Sequence, residues 1–323
     1  MILSRPLRFL ALAGVLGSAT PLQAQLLKRT PVPRTDSLTT LDETLGSVQR
    51  RLAQESGDTV GFYFRDLVKP ESILIDADTR FHAASTMKVP VLIQVFRDID
   101  AGRFGLHDKI IVTNDFHSLA DSSVFHLDRA DDSDSSLYLK IGLPVEVEEL
   151  ATLMITKSSN LATNILIDKV GASRVQATLH ELGADSVRVL RGVEDTPAFR
   201  AGMNNTTTAR GMARVLASIV DATAASPQSC GTMVGILQHQ TFNDGIPAGL
   251  PRHTRVAHKT GWFTGVHHDA AIVYWDGRPR YILVIMTRGI PDQSHSATLM
   301  ADLARIIQGH VIAPPQPRFV PHP

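Results

Sequence analysis

Apolar residues recur at helical spacing over 38–53, with Ser37 and Thr39 placed where a cap would stand. The stretches "TVGFYFRDL" and "ILIDAD" then alternate or run apolar over strand lengths, and they predict a hairpin. Beyond Ser85, residues 89–99 are apolar enough to form a buried helix. "DKIIVTNDF" reads as a short extended piece, and 117–140 is polar and acid-rich around "DRADDSDSS". Three helices are predicted over 146–156, 161–170 and 173–182, followed by a loop with little periodicity over 184–205. A loop of that length inside a compact region is usually functional. "TTTARGMARVLASIV" and "GTMVGILQHQ" are helical, and "TRVAHKTG", "DAAIVYWDG" and "RYILVIMTR" read as strands, the last two joined through Asp276 and Gly277. A final helix is expected over 296–309, before a proline-rich tail.

Strands therefore bracket a helical middle. The pattern predicts an α+β fold, an α-β sandwich whose antiparallel sheet is flanked by helices and interrupted by an inserted all-helical domain. In that reading 38–84 and 209–312 form the sheet-bearing domain and 85–208 the helical one, with 313–323 a disordered tail.

Composition narrows the class. The 323 residues suffice for a full core, and Lys plus Arg equal Asp plus Glu at 32 each, so nothing favours nucleic acid as a partner. Arg5 and Arg8 precede the apolar run 9–16, and small residues surround Ala24. That is the pattern of a secretory signal cleaved near Ala24, with 25–37 a linker, and it predicts a bacterial periplasmic or secreted protein. The run is too short to span a bilayer stably. Cys230 is the only cysteine, which excludes an intramolecular disulfide. The expected form is a soluble monomer.

Candidate chemistry begins at "STMK". Ser85 and Lys88 lie one helical turn apart on one face, and Pro90 is tolerated there only because the helix is just starting. An amine can activate a hydroxyl nucleophile, although a serine at a helix start is also an ordinary cap. "KSSN" falls between two predicted helices, where a turn can aim Ser158 and Asn160 into a cleft or simply cap a helix. "HKTG" closes a predicted strand; Lys259 and Thr260 can bind a carboxylate and Gly261 can admit a close backbone. The 13 histidines, His267 and His268 among them, show no metal spacing, and neither metal nor cofactor is expected. The acidic run reads as a solvated loop rather than a cation site.

A Ser-x-x-Lys, a Ser-x-Asn and a Lys-Thr-Gly in that order resemble the signature of class A β-lactamases and penicillin-binding proteins. "NNTTTARGMA" is similar to the stretch that follows the Ω-loop in that family, and the resemblance extends over roughly residues 38–312. It implies that Ser85 is the nucleophile, activated by Lys88, with Lys259 as a second cation. It further implies that Ser158 passes a proton to the leaving nitrogen and that Asn160 holds the substrate amide. The N–H groups of Ser85 and Trp262 would form the oxyanion hole. The substrate would be a small β-lactam whose carboxylate meets Lys259, Thr260 and an arginine, for which Arg252, Arg255 and Arg288 are the candidates.

Hydrolysis of the acyl-enzyme needs a base on the loop, and Glu194 is the candidate. The loop departs from the family around it. Ala198 replaces a water-holding asparagine, Asn205 stands where an aspartate would pair with Arg191, Asp195 follows the glutamate in place of proline, and the loop is a residue or two short. Ser159 replaces the middle aspartate, and Trp262 is bulky enough to narrow the cleft. Three activities fit: a serine β-lactamase, a D-alanyl-D-alanine carboxypeptidase or penicillin-binding enzyme, and a sensor that acylates without turnover. Glu194 and "NNTTTA" favour the first.

Overall fold

A computed structural model describes residues 40–55 and 59–312. The expected signal, linker and tail lie outside these residues. Five antiparallel strands form the main sheet: β1 (Thr59–Asp66), β2 (Ser72–Ile75), β3 (Val256–Phe263), β4 (Val266–Trp275) and β5 (Arg278–Arg288), in the order β2-β1-β5-β4-β3. The predicted hairpin is β1 with β2. The predicted turn between β4 and β5 is made by Asp276 and Gly277, both at positive φ (48° and 78°), as a tight two-residue hairpin demands.

The sheet is covered on both faces, and β5 shows why. Tyr281, Leu283 and Ile285 point to one side, and Ile282, Val284 and Met286 to the other, with period two. The first set packs with Val48 of helix α1 (Leu41–Leu52) and Leu299, Leu303 and Ile307 of the C-terminal helix Gln293–Ile312. The second set belongs to the core shared with the helices between β2 and β3. Helix α1 is capped by Thr40, whose hydroxyl accepts from Glu43 N while Glu43 returns to Thr40 N. The reciprocal bonds fix the start one residue beyond the expected Thr39.

Helix α2 (Lys88–Asp100) is buried nearly all round, from Lys88 through Phe96. Ser85 does not open an α-helix. It sits in a 3-10 turn, Ala84–Met87, that runs into α2. Helices α3 (Val147–Thr156), α4 (Asn160–Val170) and α5 (Ala172–Glu181) follow as predicted to within two residues. The loop after α5 contains a short helix, α6 (Thr196–Arg200), which the weak periodicity concealed. Helices α7 (Ala209–Val220) and α8 (Pro227–Gln238) lead back to the sheet. No described helix is long and apolar enough to cross a membrane.

Candidate active site

Three chain segments converge on Ser85. The first is the 3-10 turn itself, which places Lys88 at the first position of α2, fully buried. The second is the α3–α4 junction, where Ser158 adopts a left-handed conformation (φ 57°) and Ser159 caps α4 by accepting from Ala162 N at 3.2 Å. The third is β3, which brings Lys259, Thr260 and Gly261 alongside. A Cβ on Gly261 would lie 3.0 Å from Ser85 N and 3.0 Å from the Ala84 Cβ, so only glycine lets the strand approach this closely.

The Lys88 amine donates to Ser158 O at 2.6 Å, Asn160 Oδ1 at 2.9 Å and Ser158 Oγ at 3.2 Å. Ser158 Oγ also accepts from Lys259 Nζ at 3.1 Å, and Lys259 is completed by its bond to Thr260 O. One hydroxyl thus lies between two buried amines. It can donate to one and accept from the other, the requirement for passing a proton. Among the described residues no hydrogen bond joins Lys88 Nζ to Ser85 Oγ; the lysine is anchored on Ser158 and Asn160. Burial pulls Lys88 down to about 7, against the opposing charges of Asp132 and Glu194. Lys259 is also pushed far down, by burial first and by Lys88 second. Desolvation disfavours the charged amine, so a lysine in this position reaches its free-base form near neutrality.

A cavity of about 410 Å³ opens over Ser85, lined by Asn160, Glu194, Arg191, Phe199, Trp262 and neighbouring residues. Glu194 accepts from Asn160 Nδ2 at 3.3 Å, and burial pushes its carboxyl up. It too holds a positive φ (62°), as does Ala84 (45°). Three non-glycine residues in left-handed conformations around one serine are strained at about 1–3 kcal/mol each, a concentration typical of functional sites. Trp262 does not close the cleft. The residue is 52% exposed and stands between the main cavity and a second lobe lined by Ser158, Thr260, Phe242, Asp244 and His267.

The remaining loop residues hold the loop's shape. Asp195 is buried, and its carboxylate accepts from Ser118 Oγ (2.6 Å), Leu119 N (3.0 Å) and Ala198 N (3.1 Å), which pins α6 to the 118–119 segment. Asn205 accepts from Leu190 N and Arg191 N and donates to Arg191 O. No described acid pairs with Arg191, as the asparagine implied; its guanidinium bonds Gly192 O and lies over the Phe199 ring. The side chain of buried Ala198 has no polar atom to offer a water.

None of the three candidate arginines lines the cleft. Arg255 bonds Gly277 O and stacks on Tyr274, Arg288 lies over Phe81 and bonds Arg80 O, and Arg252 lies outside both lobes. On that side stands His267, which donates from Nδ1 to Ser296 Oγ, whose own proton goes to Gln293 O. Nε2 of His267 has no partner among the described residues. His268 is core: its Nε2 donates to His82 O, Nδ1 accepts from Thr287 N, and burial pushes it down to about 4. A surface group of His107, Glu146 and Glu148 is the one metal-compatible cluster among the described residues, and it lies outside the cleft.

The sequence reading missed Asp132. Its carboxylate does not face solvent as the acidic run implied. It accepts from Asn160 N (2.9 Å), Leu161 N (2.9 Å), Tyr138 Oη (3.2 Å) and Ser159 Oγ (3.5 Å). The one signal for it was the absence of a carboxylate at position 159.

Comparison with known proteins agrees with this constellation. Residues 45–311 match the β-lactamase enzyme family. The chain belongs to that family. It is class A in kind, a family of serine hydrolases. Its relatives include the β-lactamase of Streptomyces albus G, 27% identical over 94% of this chain and 97% of the relative. The carbapenem-hydrolysing β-lactamase KPC of Klebsiella oxytoca is 25% identical over 84% and 90%. Among solved structures, a β-lactamase from Sphaerobacter thermophilus superimposes with a TM-score of 0.72 at 27% identity, covering 86% of this chain and all of that one. PBP-A superimposes comparably, at 0.69 and 27%, over 82% and 94%.

Proposed function

We propose that the protein is a serine β-lactamase that opens the cyclic amide of a β-lactam through an acyl-enzyme on Ser85. The observation that carries this reading is the position of Glu194: a carboxyl held by Asn160 in the same cavity as Ser85. An enzyme that only acylates has no need of a base there.

In this reading the Ser85 hydroxyl adds to the lactam carbonyl carbon and its proton passes to the free amine of Lys88. The carbonyl oxygen takes up the negative charge and is held by the N–H groups of Ser85 and Trp262. As the C–N bond breaks, Ser158 gives its proton to the leaving nitrogen and recovers one from Lys88. Water then adds to the ester carbon, Glu194 takes its proton, and Ser85 leaves as the alcohol. Asn160 orients the substrate amide. Lys259, Thr260 and Gly261 form the wall on the β3 side, where the Lys259 amine and the Thr260 hydroxyl meet the substrate's carboxylate. Arg5 and Arg8 ahead of the apolar run 9–16, with the small residues near Ala24, support export with cleavage there; N-terminal sequencing of the mature protein tests it.

A second reading, a penicillin-binding enzyme, is favoured by one observation: the likeness to PBP-A, a variant of which is known as an acyl-enzyme complex with penicillin G. Stopped-flow kinetics with a chromogenic cephalosporin and with a D-Ala-D-Ala peptide separate the two. Sustained turnover of the cephalosporin without peptide release is expected. A single stoichiometric burst, or peptide cleavage faster than cephalosporin hydrolysis, would overturn the lactamase reading.

A further inference from the structure

Asp132 reaches the site from a loop 28 residues before Asn160. It meets the first turn of α4, where backbone N–H groups have no helical partner. A carboxylate there satisfies two of them with charge-assisted bonds and complements the helix dipole. The family's middle motif has an aspartate between its serine and asparagine. Here that position is Ser159, whose hydroxyl caps Ala162 N and lies 3.5 Å from Asp132 Oδ2.

We propose that Asp132 is a positioning residue for the proton-accepting amine: a carboxylate lent by the loop that clamps the first turn of α4 and sets a fixed negative charge behind Asn160 and Lys88. The role rests on the lactamase reading of Lys88. Asn160 is the link. Its backbone N–H is held by Asp132 while its side chain accepts from Lys88 and donates to Glu194. The clamp therefore fixes two of the Lys88 acceptors, since Ser158 and Asn160 flank Ser159. It also orders the loop itself, whose Asp131 and Ser133 line the main cavity.

The charged groups around the amine are few. Burial works against its protonation; Asp132 and Glu194 favour it, and of the two carboxylates Asp132 weighs more, while Lys259 on β3 is itself pushed down by Lys88. Tyr138 donates to Asp132, and Asp128 and Asp131 lie near that tyrosine and Glu194 respectively. Removing the Asp132 charge leaves burial less opposed, so the free amine forms at lower pH.

The experiment is the pH dependence of single-turnover acylation by a chromogenic cephalosporin in the parent, Asp132→Asn, Asp132→Ser, Tyr138→Phe and Lys88→Ala. Asp132→Asn should lower the plateau at least about tenfold, as loss of a positioning clamp does, and move the acid limb down by about half a pH unit or more. Asp132→Ser, which keeps an acceptor but no charge, should move the limb equally and serves if the asparagine variant does not fold. Tyr138→Phe keeps the charge and should leave the limb in place. A plateau that falls with an unmoved limb in both Asp132 variants would make Asp132 a purely structural cap and overturn the proposal. So would a limb that moves as far in Tyr138→Phe. A Lys88→Ala protein that acylates at the parent rate would instead overturn the underlying assignment of the amine, and the proposal with it.

Discussion

The Asn160 amide donates to the Glu194 carboxylate at 3.3 Å. That bond aims a loop acid, raised by burial, into the cavity of Ser85. Glu194→Gln should still acylate but should hold the adduct, with deacylation slowed about a hundredfold or more, the scale of general-base catalysis. Mass spectrometry after mixing with penicillin should show a lasting adduct in the variant and a transient one in the parent. Normal turnover in the variant would remove Glu194 from the mechanism. Asp195 is a poor substitute, because its carboxylate already accepts three hydrogen bonds.

Ser85→Ala should abolish covalent labelling by penicillin while leaving the melting temperature near that of the parent. The serine is half-exposed in the cleft and its side chain holds no other element in place. An adduct on any other serine, located by peptide mapping, would displace Ser85 as nucleophile.

Lys88→Ala should slow acylation by about a thousandfold or more. In the parent the acylation rate should climb as pH rises through about 7, where burial places the Lys88 amine. The same shift acts on stability with a definite sign. The folded amine loses its proton at lower pH than the unfolded one, so the unfolded state binds more protons between these two values. Stability should therefore rise with pH from about 7 toward the unfolded lysine range. A Lys88→Met variant should flatten that slope in denaturant titrations at several pH values.

Much of the site could be read from local spacing. Ser85 with Lys88, Ser158 with Asn160, and Lys259 through Gly261 are each packed into three or four residues, so helix and strand geometry alone brings each set together. Asp132 was hidden because an acidic, serine-rich run has the composition of a solvated loop, and only a contact 28 residues away turns one of its acids inward. The arginines failed for a related reason. Charge and rough position along the chain do not tell which side of a strand a residue takes, and Arg255 and Arg288 take places outside the cleft. In the fold, long periodic stretches predicted the helices well, whereas α6 is five residues set in a loop and owes its start to the Asp195 cap rather than to periodicity.

Asp195→Ala removes three hydrogen bonds to a buried carboxylate at once. It should cost about 2 kcal/mol, or roughly 4–8 °C in melting temperature. The loop should loosen locally, so trypsin should cut after exposed Arg200 faster than in the parent. Turnover should fall more than acylation does, because Glu194 is the neighbour released. Equal melting temperatures and equal cleavage would show that the loop is held by other contacts.

The placement of Trp262 has a practical use. The chain has only two tryptophans, and the other, Trp275, is at the end of β4 outside both lobes. In a Trp275→Phe protein the indole emission would come from the ridge between the two lobes alone. Occupancy of either lobe changes the solvent around that ring, so its fluorescence would record binding, acylation and release as successive phases. Colourless compounds could then be followed in real time without a label.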